Sequence, residues 1–338
     1  MFQERASHLL KVTVTSAGLL SRWEEHITPW PRVILYHCVD EKAPSFLGDL
    51  IINRKVFLEQ ISALQKRYRF LTWPEYKQAL ASPREAVRCV LLTFDDGFQG
   101  SWNVSRALAA DRNIPAAFFI NTRVLDNDYA PWMIQYYFLR SQAPAKFLEP
   151  LWRSISNGIQ LSPETARARL HECFSVRSVV EPIEEGLAKF GMTPGELAQK
   201  YNLYLSAADI SHRNNLITIG NHSHSHYVLT KLTGDELRED FQSSHERLKK
   251  ILNNEPECFA YPFGVPELHF DANGLETLRA VSSYPYIFSA ADDRLTPSTS
   301  NDISRVCLDQ VPPKQVLAKV AKVAPRTLKH FLFSRFAN

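Results

Sequence analysis

Two adjacent carboxylates, Asp95 and Asp96, stand between an apolar run, Cys89–Phe94, and Gly97. Such a run is typical of a buried strand, which tolerates acids only at its end because an unpaired buried charge is costly. Two neighbouring carboxylates also repel each other unless a cation or a shared proton lies between them. The pattern therefore predicts a strand that delivers both acids to a metal site. The alternative is a plain strand that ends in an Asp-Gly turn.

Three histidines, His222, His224 and His226, follow a second apolar run, residues 216–220. Imidazole is the commonest protein ligand for zinc and similar divalent ions. His222 and His226 can face one point if the backbone turns after the strand, whereas His224 is then rotated away from at least one of them. A single histidine is more often structural. Three at one strand end, in a chain that places two acids at another, favour a metal site.

A regular alternation of strands and helices positions these residues. The predicted strands are residues 31–36, Cys89–Phe94, Ala116–Ile120, residues 216–220, Cys258–Ala260, Tyr286–Ser289 and residues 303–308, and helical spacing covers residues 55–68 and 101–111. This rhythm indicates a parallel sheet with helical crossovers. In such sheets and barrels, sites lie at the carboxyl ends of the strands. His37, Asp95 and Asp96 all occupy that position.

The alternation stops within residues 122–204, where helix signals dominate. Ser162 precedes a proline that would stand in a first helical turn, and Thr193 and Glu196 have the spacing of a capping box. The segment therefore predicts a helical insertion of about 80 residues, which could cover or line one side of the site. Most of its aromatic residues are expected in the insertion's own core.

Composition bounds the class of protein. The 338 residues are 45% hydrophobic and 22% charged, which is typical of one large globular domain, or of one domain with a sizeable insertion. The net charge is only +3, so the overall charge does not indicate nucleic acid as a partner. The five cysteines are dispersed without a CxxC pair and are expected to be reduced.

The two ends of the chain are predicted to be separate units. Residues 1–30 are expected to be a helical lead-in, without a convincing signal peptide or membrane span. Residues 313–338 carry six Lys and Arg and no acid, with apolar and aromatic residues between them. This basic amphipathic tail is expected either to lie on an anionic membrane or to pack on the domain. The sequence thus predicts a cytoplasmic protein, with peripheral contact to the inner membrane surface if the tail binds there, and leaves the oligomeric state open.

Several motifs resemble those of the polysaccharide deacetylases, metal-dependent carbohydrate esterases related to chitooligosaccharide deacetylase. Thr93-Phe94-Asp95-Asp96-Gly97 resembles the first family motif, and His222-Ser223-His224-Ser225-His226 matches the second. Tyr261-Pro262-Phe263-Gly264 stands where the third belongs, and Leu35-Tyr36-His37 resembles the first strand of a subgroup that acts on biofilm and cell-surface glycans. The resemblance covers about residues 31–120 and 216–308. It implies an α/β fold, a distorted (β/α)7 barrel of residues 31–312 with a helical insertion at about residues 122–204.

The resemblance also implies a role for each matching residue. Asp96, His222 and His226 would hold one divalent metal ion, usually zinc, and Asp95 would be the general base that activates water. The ion and a backbone N–H near Phe263, in the motif that begins at Tyr261, would stabilise the oxyanion. The implied reaction removes an N-acyl group from a sugar of a glycan, with N-acetyl as the leading candidate for that group. The basic tail favours a lipid-linked glycan precursor as the substrate.

The chain departs from the family pattern at two places. Ala260 stands where the third motif usually has an arginine that orients the base, and Arg305 is the predicted replacement. Residues 303–308 lack the histidine that usually serves as general acid, so His37 is the first candidate for that role and His224 the second. Two alternatives therefore stay open: a non-catalytic glycan-binding protein on the same barrel, or an amidase for a small non-sugar amide.

Overall fold

Parallel strands form a barrel in the computed structural model, which describes residues 31–82, 88–156, 162–290 and 303–321. The strands are β1 (Arg32–Tyr36), β2 (Cys38–Val39), β3 (Ile51–Ile52), β4 (Arg69–Phe70), β5 (Cys89–Phe94), β6 (Ala116–Ile120), β7 (Ile217–Asn221), β8 (Cys258–Ala260), β9 (Tyr286–Ser289), β10 (Ile303–Ser304) and β11 (Val306–Cys307). The predicted barrel strands are found within one residue of their predicted ends, except that the last is divided in two.

Strand pairing closes the barrel. The order is β10-β9-β8-β7-β6-β5-β1-β11, and every neighbouring pair is parallel. β10 pairs with β9 and β11 pairs with β1, and only Arg305 separates β10 from β11 in the chain. These two short strands therefore act as one interrupted strand that joins both edges of the sheet. The predicted distorted (β/α)7 barrel is confirmed. β4 pairs with the start of β5 outside this ring, and β2 and β3 form a small separate sheet.

Helices connect the strands and cover the barrel. They are α1 (Arg54–Gln65), α2 (Trp73–Ala81), α3 (Gln99–Arg112), α4 (Trp132–Gln142), α5 (Glu149–Ser156), α6 (Pro163–Glu172), α7 (Glu181–Lys189), α8 (Pro194–Tyr201), α9 (Ala207–Ser211), α10 (Gly234–Leu252), α11 (Ala272–Val281) and α12 (Val316–Val320). Side chains cap the starts of several of them, because the first N–H groups of a helix need acceptors. Asn53 caps α1, and Thr72 with Glu75 forms a capping box at α2.

Buried apolar side chains fill the barrel and the space beneath its helices. Every residue of β5 and β6 is buried, as expected for parallel strands that are covered on both faces. The rings of Phe94 and Phe118 stack with 4.8 Å between centroids, and Trp102 of α3 meets Phe118 edge-on. Full burial of one such ring contributes about 1.5–3 kcal/mol, so these rings fix the strand and helix that lead to the site.

The helices α4 to α8 within residues 122–204 form a second core, which they share with loop residues at the mouth of the barrel such as Phe46 and Phe98. Buried Trp132, Tyr136 and Phe138 of α4 belong to this core, together with Leu187 of α7 and Leu197 of α8. Other residues of α4, including Ile134 and Tyr137, line a cavity at the mouth of the barrel. This segment therefore packs internally and also contributes a wall to the site.

The predicted end units lie mostly outside the described residues. Residues 1–30, the predicted lead-in, and residues 322–338, most of the predicted basic tail, are among those outside. The start of the tail is described: α12 buries Val316 and Val320 in the barrel core. Among the described helices, none combines the length and the apolar character that a membrane crossing requires.

Candidate active site

The chemically capable residues gather at the carboxyl edge of the barrel. His37 follows β1, Asp95 and Asp96 follow β5, and His222 follows β7. Phe263 lies three residues beyond the end of β8. Because all barrel strands are parallel, their carboxyl ends meet at one face, and these residues line a single cavity of about 560 Å³ there.

Tight turns aim the side chains of the site. Asp96 and Gly97 have left-handed backbone conformations directly after β5, with φ of 69° and 78°. A Cβ at Gly97 would meet its nearest neighbours at 3.4 Å or more, so the positive φ, and not lack of space, favours glycine there. Ser223 and His226 also have positive φ, 69° and 55°, after β7. Such strained residues cluster at functional sites, where the surrounding structure holds them in place.

Asp96, His222 and His226 converge on one point. Oδ1 of Asp96 lies 3.1 Å from Nε2 of His226 and 3.5 Å from Nε2 of His222. One donor atom from each residue lies within 4.8 Å of the other two. Ligands of a tetrahedral zinc ion, at about 2.0–2.1 Å from it, are about 3.3 Å apart. The two distances from Oδ1 of Asp96 are close to this value, so the three donor atoms are near enough to share a single ion.

The protonation states also fit a cation. Nδ1 of His222 lies 2.8 Å from the carbonyl oxygen of Ala260, which can only accept, so Nδ1 carries the proton and Nε2 presents a lone pair towards Asp96. Burial lowers the pKa of His222 to about 4, and the ring is therefore neutral at neutral pH. Burial favours a higher pKa for Asp96, but the adjacent His226 outweighs it, and the pKa of Asp96 is well below its usual value.

An unsatisfied oxygen supports the same reading. Oδ1 of Asp96 is buried, and no hydrogen bond of acceptable geometry from a described residue reaches it. A buried carboxylate oxygen without a partner is rare because its desolvation is costly. A divalent ion between Oδ1 and the two Nε2 atoms would satisfy it. The residues present thus fit the metal that the sequence predicts.

Arg305 holds Asp95 beside this set. Its two terminal nitrogens donate to the two oxygens of Asp95, over 2.6 Å and 2.8 Å, and its Nε donates to the carbonyl oxygen of Ser289. Burial favours a higher pKa for Asp95, but the charge of Arg305 outweighs it and lowers that pKa. Oδ2 of Asp95 is 3.7 Å from Nε2 of His222. The carboxylate is therefore kept ionised and oriented next to the three candidate ligands.

His37 pairs with an acid that sequence reasoning missed. Its Nδ1 lies 2.6 Å from Oδ2 of Asp309, and its backbone N–H donates to Oδ1 of the same carboxylate. Burial acts to lower the pKa of His37, but Asp309 dominates and raises that pKa well above its usual value. His37 is thus a protonated imidazole at the cavity wall. Asp309 carries no local signal, since it is a single acid after the last strand.

Two predicted residues lie away from the cavity. His224 turns towards Thr122, with Nδ1 2.8 Å from Oγ1 of that residue, and it is not part of the wall. Tyr261 stacks its ring on Phe270, 3.8 Å between centroids, and its N–H donates to the carbonyl oxygen of Phe288. His224 is therefore not retained as a general acid, nor Tyr261 as a substrate or oxyanion contact. Each stands inside a motif, but the loop that follows the strand turns it away from the cavity.

The third-motif loop contributes Phe263 to the cavity wall. Phe263 has a positive φ of 60°, and its ring lies 4.5 Å from that of His226. Gly264 follows, and a Cβ there would stand 2.5 Å from the backbone nitrogen of Ala290, so only glycine fits. The N–H of Phe263 donates to no other described residue. It is therefore available to a bound molecule.

Comparison with known proteins agrees with the barrel and its second motif. The family model described as polysaccharide deacetylase matches residues 200–280, which include His222, His226 and Phe263 but not the two acids after β5. No curated protein matches the chain. The predicted resemblance to the polysaccharide deacetylase family is confirmed.

Solved deacetylases share the fold at low sequence identity. IcaB from Ammonifex degensii is 19% identical with a TM-score of 0.55, over 87% of this chain and 97% of that chain. The deacetylase PplD of Streptococcus pyogenes, solved in complex with acetate, is 16% identical with a TM-score of 0.52, over 86% and 97%. A polysaccharide deacetylase from Bacillus cereus is 16% identical with a TM-score of 0.54, over 86% and 68%. At these identities the likeness concerns the fold.

Proposed function

We propose that this protein is a metal-dependent hydrolase that removes an N-acyl group from a sugar of a glycan or lipid-linked glycan precursor. N-acetyl is the leading candidate for that group. The observation that carries the proposal is the convergence of Asp96, His222 and His226 beside an Asp95 that Arg305 clamps. This arrangement would combine a cation site with a separate, ionised carboxylate. Metal-assisted hydrolysis of an amide requires both.

Asp96, His222 and His226 would hold one divalent ion, and zinc is the proposed metal. When bound, the ion would act as a Lewis acid that polarises the acyl carbonyl and makes water more acidic. Two imidazoles and one carboxylate are a ligand set that leaves a position open for substrate or water, as catalytic zinc sites do.

Asp95 is the proposed general base. It would accept a proton from water as the oxygen of that water attacks the acyl carbon. The bidentate contact with Arg305 keeps the carboxylate ionised and fixes its direction. The arginine also lowers its basicity, which is tolerable because the acidified water needs only a weak base. The arginine that this chain lacks at Ala260 would thus be supplied by Arg305, which lies between β10 and β11, far along the chain.

His37 is the proposed general acid. Protonated through its pairing with Asp309, it would donate a proton to the amide nitrogen as the carbon–nitrogen bond breaks. The products are a carboxylate and a free amino sugar. The N–H of Phe263 would donate to the oxyanion that forms before this bond breaks. A charged acid and a clamped base both argue against a non-catalytic binding protein, which would need neither.

Apolar side chains in the cavity support a substrate with apolar surface. Leu50, Phe98, Ile134, Val265 and Leu268 line the same cavity as the two acids. Val265 and Leu268 are also the large hydrophobic residues that stand exposed among the described residues, each 41% exposed. An apolar rim beside a hydrolytic centre is compatible with a lipid-linked sugar or with the flat faces of sugar rings.

An assay with acetylated amino-sugar oligomers and with lipid-linked acetylated sugars tests the proposal. Free amine and acetate are measured with zinc present, for the wild type and for Asp95→Asn. Loss of turnover in Asp95→Asn by a factor of at least about 100 is expected for a general base. Equal rates for the two proteins would refute the mechanism, and turnover of simple non-sugar amides alone would favour the small-amide alternative.

A further inference from the structure

Two buried histidines outside the metal set form a pair at the cavity wall. His171 lies in the last turn of α6, and His269 lies in the loop between β8 and α11. Each is 6% exposed, and both line the cavity. Nε2 of His269 is 3.1 Å from Nδ1 of His171. The pair joins the helical segment of residues 122–204 to the barrel loop.

The position of each proton follows from the backbone. The N–H of Val265 lies 3.2 Å from Nδ1 of His269, and an N–H can only donate, so this Nδ1 accepts and the proton of His269 is on Nε2. That Nε2–H donates to Nδ1 of His171, which leaves the proton of His171 on its own Nε2. Burial lowers the pKa of His171 to about 3 and that of His269 to about 4, so each ring carries a single proton at neutral pH. The backbone of Val265 therefore sets both tautomers.

The far side of His171 belongs to the cavity. Phe263 stands between the candidate metal ligands and this ring, with its centroid 4.5 Å from that of His226 and 4.5 Å from that of His171. Nε2–H of His171 donates to no described side chain or backbone group, although the residue is nearly fully buried. Nε2 is not among the fully buried atoms that lack a partner, so a ligand or water in the cavity can accept from it. The ring of His171 thus presents one N–H of fixed position, separated from the candidate metal ligand His226 by the ring of Phe263.

We propose that His171 is a substrate-binding residue, whose Nε2–H donates to a hydroxyl or carbonyl oxygen of the N-acylated sugar. His269 is a positioning residue that fixes the tautomer. The donor is neutral, so it selects an oxygen acceptor without requiring a charged one. It comes from the inserted helices and not from the barrel motifs, which makes the insertion a source of substrate selectivity. The identity of the acceptor as part of an N-acylated sugar rests on the proposed function.

The tautomer is tested first, because it does not depend on turnover. The wild type is labelled with 15N-histidine, and a long-range 1H–15N spectrum is recorded at pH 7, with His171→Leu used to assign the signals. Protonated Nε2 and unprotonated Nδ1 are expected for both His171 and His269. Protonation of Nδ1 in His171, or a doubly protonated ring, would overturn the proposal.

Binding is tested with chitotetraose, a tetramer of N-acetylglucosamine. Titration with this probe is expected to shift the Nε2–H signal of His171. A signal that stays unchanged at the highest soluble probe concentration overturns the proposal, whether or not the protein turns the probe over. Failure of the proposed function alone would show as a shifted His171 signal together with equal rates in wild type and Asp95→Asn.

Kinetics separate substrate binding from a structural role. His171→Leu is expected to raise KM roughly tenfold with little change in kcat, since a net hydrogen bond away from the reacting atoms contributes to substrate and transition state alike. His171→Gln keeps a donor and is expected to restore part of the loss. His212→Leu, at an exposed position after α9, is the matched control and is expected to behave as the wild type. An unchanged KM in His171→Leu would refute the role. A rise in KM that is equal in His171→Leu and His171→Gln, and that accompanies a lowered unfolding temperature, would also refute it.

Discussion

Replacing Arg305 by Met tests the buried ion pair on which the proposed base depends. The side chain of Arg305 is fully buried and donates to both oxygens of Asp95, whose side chain is 3% exposed. Met has a similar length and no charge, so Arg305→Met removes the guanidinium without leaving a large cavity. Removing one partner of a buried pair costs about 3–5 kcal/mol, because the other charge stays buried and uncompensated. We therefore expect the free energy of unfolding to fall by about that amount at neutral pH.

The loss should depend on pH in a defined direction. In the wild type Arg305 lowers the pKa of Asp95, so this carboxyl stabilises the fold above its unfolded pKa of about 4, and that contribution disappears as the pH falls through the lower, folded pKa. In Arg305→Met the largest charge that lowers the pKa of Asp95 is gone, and burial then raises that pKa against the weaker effects of His222 and His37. The folded state then favours the protonated form of Asp95, and the free energy of unfolding decreases as the pH rises through about 4 and above. The difference between the two proteins should therefore widen from pH 4.5 to pH 8.

Urea unfolding followed by tryptophan fluorescence, with a chelator present, measures this difference. The double variant Asp95→Asn with Arg305→Met removes both charges and should recover most of the stability that the single variant loses. Its recovery gives the coupling energy of the pair by a double-mutant cycle. A double variant as unstable as the sum of the single variants, or a difference that does not change with pH, would refute the reasoning.

Three further predictions concern other parts of the site. Asp309→Asn removes the charge that raises the pKa of His37, so the alkaline limb of the kcat/KM profile should move to lower pH; an unmoved limb would exclude His37 as the acid. A chelator should lower the unfolding temperature of the wild type, and added zinc should restore it. The unfolding temperature of Asp96→Ala should respond to neither, and an equal response in this variant would contradict the proposed ligands. Gly97→Ala should reduce the free energy of unfolding by about 1–2 kcal/mol, because φ of Gly97 is 78°. The control Gly234→Ala, at the open start of α10, should change that free energy little. Equal effects of the two substitutions in urea unfolding would contradict the role of φ.

Local patterns were sufficient for the barrel strands and for the convergence of the three candidate metal ligands. Apolar runs that end in polar residues mark β1, β5 and β7, and parallel pairing brings the residues after them to one edge. Asp96, His222 and His226 therefore follow from strand ends and from the two motifs. The break of the last strand at Arg305 does not follow, because the sequence predicts residues 303–308 as one continuous strand. The buried guanidinium faces Asp95 from between two strands that pair on opposite sides.

Contacts between distant segments explain what the sequence misses. Asp309 is 272 residues from His37 and has no local signal, and Arg305, 210 residues from Asp95, is predicted only because the family resemblance calls for an arginine beside the base. His171 meets His269 across 98 residues, from a helix without any motif. Tyr261 and His224 show the opposite case, in which the sequence places a residue in the site and the structure does not. A motif names the residues near a site, but the turns after each strand, where Ser223 and His226 have positive φ, decide which of them reach it.

Anomalous scattering from crystals grown with zinc tests the central claim most directly. Data collected on both sides of the zinc absorption edge locate the ion without any reference to activity. We expect one strong peak at the carboxyl edge of the barrel, at about 2.0–2.2 Å from Nε2 of His222, Nε2 of His226 and an oxygen of Asp96. A peak bound elsewhere, or none at this position in zinc-saturated crystals, would contradict it.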